Sequence, residues 1–199
     1  MPLIDVNDAF LLVVDVQEKL FPRVAEHDVV LEKVLFTING VKIFNTPILV
    51  TEQNPDGLGS TIAQVESALP RYNPDEKKVF NAFACTSFAE RVEHLGRGTV
   101  VLVGIETHIC ILQTAIEALD RGMNVHVVAD AVGSMDPEDH RRALDRMGRL
   151  GAAVTTSQSL IYEMMRDAGD PKFRDLLEMI KSGRRRHPVL YSFEETAEE

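Results

Sequence analysis

The sequence predicts an α/β fold: a three-layer sandwich, Rossmann-like, in which a six-stranded and mostly parallel sheet is flanked by helices. Three observations carry that expectation. Apolar, β-branched runs recur along the chain, and segments of helical periodicity separate them. The runs are also continuously hydrophobic rather than alternating, as in strands covered on both faces. Strand and helix in alternation place the helices against the sheet through right-handed crossovers.

Taken in order, the strands are "FLLVVD" (10–15), "PILVT" (47–51), a shorter "KKVF" (77–80), "TVVLVG" (99–104), "NVHVVAD" (124–130) and "AAVTT" (152–156). Between them, Val34, Ile38 and Val41 follow i, i+4, i+7, and Leu144, Met147 and Leu150 follow i, i+3, i+6, each marking one face of a helix. Gly122 after "ALDR" and Gly151 after "MGRL" read as helix stops. The segment "SLIYEMMRDAG" (159–169) is apolar enough to serve either the core or a subunit contact. The closing "EETAEE" is acidic and expected to fray.

Composition narrows the function. The 199 residues suit one domain, 1–199, and the 45% hydrophobic and 26% charged residues are those of a globular protein. Net charge is 21 − 31 = −10, which argues against nucleic acid or an anionic membrane as partner. The basic run Arg184–Arg186 reads as a solvated helix end. "MPLIDVNDAF" lacks the basic start and apolar run of a signal peptide. No apolar stretch approaches the roughly 20 residues of a membrane span. Two cysteines, Cys85 and Cys110, form no disulfide framework and fit a reducing cytoplasm, which leaves a thiol free for chemistry.

In an open parallel sheet, ligands bind beyond the carboxyl ends of the strands. Asp15 stands at the first such end, Thr51 and Glu52 at the second, Lys77 and Lys78 at the third, and Gly104-Ile105-Glu106 at the fourth. Thr107 is a good N-cap, which puts Cys110 in the first turn of the next helix. Unpaired amides and the helix dipole favour an anion there, so the expectation is a thiol shifted to roughly 3.5–7.5 and ionised at neutral pH. Asp15 facing Cys110 can take the thiol proton and return it to a leaving group, with a lysine holding both. The structural alternatives are a small apolar Cys110 in the core and an Asp15–Lys ion pair without chemistry.

Together these segments resemble the isochorismatase-like cysteine hydrolases. The likeness runs from about Phe10 to Lys181, leaving an acidic tail of about 192–199. It rests on "LLVVDVQ" (11–17), "VTEQNPDGLGST" (50–61), "EKKVFNAF" (76–83), "GIETHICILQTAIEALDRG" (104–122) and "VHVVADAVGS" (125–134). Within that superfamily, "TEQ…GLGST" is most similar to the isochorismatase domain-containing subgroup. The resemblance implies an Asp–Lys–Cys triad of Asp15, Cys110 and Lys77, with Lys78 the fallback for the lysine. It implies a cis peptide between Ile105 and Glu106, with the amides of Glu106 and Cys110 forming an oxyanion hole. It also implies a homo-oligomer, dimer or tetramer.

The sequence departs from the metal-binding nicotinamidases of that superfamily. Where they carry a D-x-H-x-x-x-H-type site, this chain reads Glu52-Gln53-Asn54-Pro55-Asp56-Gly57-Leu58, without histidine. No metal and no cofactor are expected. Gln17, Phe21, Glu52, Gln53 and Phe83 are the candidate substrate contacts, each with a structural alternative: a loop brace for the polar ones, core packing for the rings. "DGLGS" (56–60) lacks the third glycine of a nucleotide fingerprint, which also weakens a dehydrogenase reading. Cys85 is a weaker second thiol candidate. His108 and Cys110, two apart on a helix, point in different directions, so His108 is not expected as base. The function implied is hydrolysis of a small amide or related compound through a thioester, without cofactor. The rival is a non-catalytic binding or scaffold protein on the same fold.

Overall fold

In the computed structural model, residues 3–186 are described, with side chains as far as residue 181. The side chains of Arg184–Arg186 and the acidic tail lie outside the described residues. The first apolar run forms β1 (Ala9–Val14), buried at every position. Then follow α1 (His27–Ile43), β2 (Ile48–Gln53), α2 (Pro55–Leu58), α3 (Ala63–Ala68), β3 (Asp75–Lys77) and α4 (Thr86–Leu95). The second half supplies β4 (Thr99–Ile105), α5 (Leu112–Asp120), β5 (Asn124–Gly133), α6 (Pro137–Arg149), β6 (Ala153–Thr155), α7 (Ser157–Met165) and α8 (Phe173–Arg186).

The six strands form one sheet in the order β3-β2-β1-β4-β5-β6, and every pairing is parallel. The α/β three-layer expectation holds. Alternate residues of β1 serve opposite faces. Leu11 and Val13 pack with Val34, Ile38 and Val41 of α1 and with Leu160, Ile161 and Leu176 of α7 and α8. Phe10, Leu12 and Val14 pack with Phe88 of α4, Ala115 of α5 and Met147 of α6. Each large side chain withdrawn from water in this way contributes about 1.5–3 kcal/mol. The order reverses between β1 and β4, and the general rule for open α/β sheets puts the ligand crevice outside the carboxyl ends at such a switch point.

Two expectations are corrected, and one open alternative is resolved. The third strand is residues 75–77 rather than 77–80, because β2 offers partners only for Asp75, Glu76 and Lys77. Beyond it Asn54 N donates to Lys77 O and the chain turns away, leaving Val79 and Phe80 exposed. Of the two alternatives for the apolar 159–169 segment, the core is the one observed: it is mostly α7, whose Leu160, Ile161, Met164 and Met165 are buried in this chain's own core. Leu150, placed on the buried stripe of its helix, is exposed at the end of α6. Gly122 and Gly151 end their helices in left-handed backbone, as expected. Among the described residues, no helix is long and apolar enough to cross a membrane.

Candidate active site

The carboxyl ends of β1, β2 and β3 and the turn after β4 meet at the crevice. Asp15 follows β1 directly and is wholly buried, with φ 53°. Aspartate is among the few residues that accept this left-handed conformation readily. Thr51 Oγ1 donates to Asp15 Oδ1 at 2.8 Å, and Lys77 Nζ donates to Asp15 Oδ2 at 2.6 Å. A buried ion pair this close offsets the cost of taking both charges from water only when its remaining polar atoms are satisfied. Here they are. The lysine also donates to Gln53 Oε1 at 2.8 Å and lies 3.6 Å from Cys110 Sγ. Parallel register sets Gln53 beside Lys77, and Gln53 Nε2 donates to Lys78 O, which fixes the amide's orientation. Lys78 itself is exposed, so Lys77 is the lysine that reaches the sulfur.

Cys110 arrives on a π turn, Thr107–Ile111, wound between β4 and α5. Ile111 N donates to Glu106 O, and Leu112 N to Thr107 O, each five residues back. Such single-turn π segments are frequent at functional sites. The Ile105–Glu106 peptide is cis, as the resemblance implied. Just before it, Gly104 has φ 110°, and a Cβ there would lie 2.1 Å from Val14 O, so only glycine lets β4 approach β1 at this point.

The helix-cap expectation is corrected. Glu106 occupies the cap position, without a side-chain cap bond, and Thr107 Oγ1 pairs instead with His140 Nδ1 at 2.9 Å. The ionised-thiol expectation is corrected as well. Cys110 is 5% exposed, and its thiol is pushed up to about 12. Burial is the largest cause; the charge of Asp15 and its hydrogen bond to the thiol add to it, and Lys77 opposes without prevailing. At neutral pH the sulfur keeps its proton.

The five candidate substrate contacts separate. Gln17 is withdrawn from that role, since its amide bonds Gln53 O, Gly59 O and Gln53 N and the side chain is fully buried. Glu52 is also committed, accepting from Thr61 N, Thr61 Oγ1 and the Tyr72 hydroxyl on one oxygen. Phe21 packs in the core under α1, edge-on to His27. Phe83 packs edge-on to Phe88 beneath the Arg121 guanidinium and lines a groove between α4 and the end of α5. Gln53 stands beside Asp15 and Cys110, as a partner of Lys77. His108 turns to Ser134 and Asp139, and Cys85 to Glu76 O and Ser87. Sequence reasoning missed the parts played by Thr51 and His140. Among the described residues, no cluster of His, Cys, Asp or Glu could hold a metal ion.

Comparison with known proteins places the chain in a family. Residues 9–159 match the model of the isochorismatase domain. The chain is 38% identical over 178 residues to mouse isochorismatase domain-containing protein 2A, covering 88% of this chain and 84% of that one. It is 35% identical over 181 residues to the secreted isochorismatase effector Isc1 of Phytophthora sojae, covering 88% and 85%. The salmon isochorismatase domain-containing protein 1 is longer, and the match spans 59% of it. Among solved structures, the MAR1 ribonuclease of Caenorhabditis elegans superimposes with a TM-score of 0.84 at 32% identity, over 90% of this chain and 93% of that one. The YcaC gene product of Escherichia coli, described as an octameric hydrolase of unknown specificity, gives 0.83 at 27%, over 94% and 91%. YcaC from Pseudomonas aeruginosa, solved with hexane-2,5-diol and covalent acrylamide, gives 0.84 at 26%, over 95% and 97%. With a domain match across three quarters of its length, this chain belongs to the isochorismatase family.

Proposed function

We propose that the protein is a cofactor-free cysteine hydrolase of a small amide or related compound. The observation that carries this is the Lys77 ammonium, which touches the Asp15 carboxylate and the Cys110 sulfur at once. Asp15 takes the thiol proton as the sulfur bonds to the substrate's carbonyl carbon, and the carbonyl electrons move onto oxygen. The amides of Glu106 and Cys110 receive that oxyanion; such donors are typically worth about 3 kcal/mol each to the transition state. Collapse breaks the C–N bond, Asp15 returns the proton to the leaving nitrogen, and a thioester remains. Water then attacks with its proton passing to Asp15, the C–S bond breaks, and the sulfur regains a proton. Lys77 holds the carboxylate in place and stabilises the transient thiolate. The acrylamide bound covalently to the Pseudomonas neighbour supports a nucleophile reachable by small amide-bearing electrophiles in this fold.

Two free cysteines fit a cytoplasmic enzyme, and net charge −10 disfavours nucleic acid as substrate. Assembly as a dimer or tetramer is part of the same reading. The raised thiol favours a second reading, a binding protein that retains the fold without turnover. Ammonia release from a panel of small primary amides decides between them. Turnover by the natural protein that vanishes in a folded Cys110→Ala variant is the expected result. Equal release by both proteins removes the mechanism.

A further inference from the structure

Resting on the amide-hydrolase reading, we infer that this site selects an electrically neutral substrate and turns away carboxylate-bearing ones, the dicarboxylate after which the family is named included. The first ground is the saturation of Lys77. An ammonium has three N–H groups, and here they face Asp15 Oδ2 at 2.6 Å, Gln53 Oε1 at 2.8 Å and Cys110 Sγ at 3.6 Å. With the side chain buried, no donor is left over for a substrate anion. Its charge is also cancelled by the carboxylate it touches.

The second ground is the balance of buried charge around the crevice. Among the described residues, the buried charged side chains at the carboxyl ends of β1, β3 and β4 are Asp15 and Glu106 against Lys77 alone; Glu52, between Thr51 and Gln53 in β2, faces the other side of the sheet toward Thr61 and Tyr72. Glu106 is fixed by the bond it accepts from Met135 N, so it cannot turn away. No arginine is among the described buried residues. The nearby ammonium of Lys19 is solvent-exposed and donates to Gly57 O, and Lys78 is exposed; in water such charges are screened. An entering carboxylate therefore loses its hydration, meets no counter-ion and faces a field of its own sign. A carboxamide of equal size carries no such penalty, and its N–H groups suit an acidic rim.

Iodoacetamide and iodoacetate make the test, being near-isosteric reagents that differ in one charge. Each forms an S–C bond to Cys110 as the C–I bond breaks; iodide departs and the thiol proton passes through Asp15 to solvent. Labelling at mildly alkaline pH is followed by mass spectrometry of the full-length protein, with Cys110→Ala identifying the site, Cys85 as internal reference and 2-mercaptoethanol as free thiol. The expected result is a rate ratio, amide over acid, at least about tenfold higher for Cys110 than for 2-mercaptoethanol, and kept in high salt. A ratio at or below that of the free thiol overturns the inference. So does a preference that disappears in high salt, which assigns it to the molecule's overall charge. Failure of both reagents at Cys110, with Cys85 labelled, overturns instead the nucleophile reading and this inference with it.

Discussion

Asp15 shows how much of the site's chemistry is set one side chain at a time. Its left-handed backbone points the carboxylate along the end of the sheet, where Thr51 and Lys77 each take one oxygen. An aspartate closing an apolar strand is conspicuous in a sequence, because a buried carboxylate is costly unless partnered. Thr51 is not conspicuous, since threonine at a strand end reads equally well as an ordinary β-former. Cys110 marks the other limit. Its place at a turn was legible, but its acidity was not, because burial and the facing acid outweigh the turn amides and Lys77. The raised thiol has a stability consequence whose sign is fixed by linkage. A group that ionises near 12 when folded and near 9 when free favours the folded state fully below pH 9 and loses that contribution as pH climbs through 12. Three units correspond to at most about 4 kcal/mol. Urea titrations across that range should therefore show the natural protein losing stability more steeply than Cys110→Ala. Parallel curves would contradict the assigned shift.

At the scale of elements, the apolar runs announced five of the six strands, because burial leaves a continuous signature that needs no knowledge of the neighbours; β3, Asp75-Glu76-Lys77, shares only Lys77 with the run read for it. The ends were read less well. Val79 and Phe80 prolong the third run, yet β3 stops at Lys77 because β2 has no further residues to pair with it. The π turn was also invisible, since "ETHICIL" has the composition of a plain helix start and the extra residue shows only in five-residue hydrogen bonds. The register of β4 against β5 shifts between Leu102 and Gly104, next to the π turn that carries Cys110, where such irregularities commonly re-aim side chains. Gly104→Ala should destabilise by more than about 3 kcal/mol, because the new methyl meets the Val14 carbonyl and the backbone is left-handed. Thermal unfolding checks this; a change within a degree or two would mean that β1 and β4 can separate locally.

For the whole molecule, the strand order explains why residues 15, 77 and 110 meet: two half-sheets wound in opposite directions open at β1 and β4, and the lysine reaches across β2. Alternation of strand and helix made that architecture legible, whereas assembly between copies leaves no comparable trace. With the apolar face of α7 taken up internally, a subunit contact must use other surface, and Val79 with Phe80 offers an exposed apolar pair. Light scattering at micromolar concentration should give a dimer or tetramer; a monomeric mass would remove the oligomer from the proposal. The dispersed origin of the site also bears on how the protein is made. A ribosome-bound chain exposes its cysteine with ordinary acidity, before any carboxylate or hydrophobic wall has gathered round it. Peroxide attacks thiolates, so the nascent polypeptide is more easily converted to a sulfenic acid than the finished molecule. Completion of the sheet quiets the sulfur.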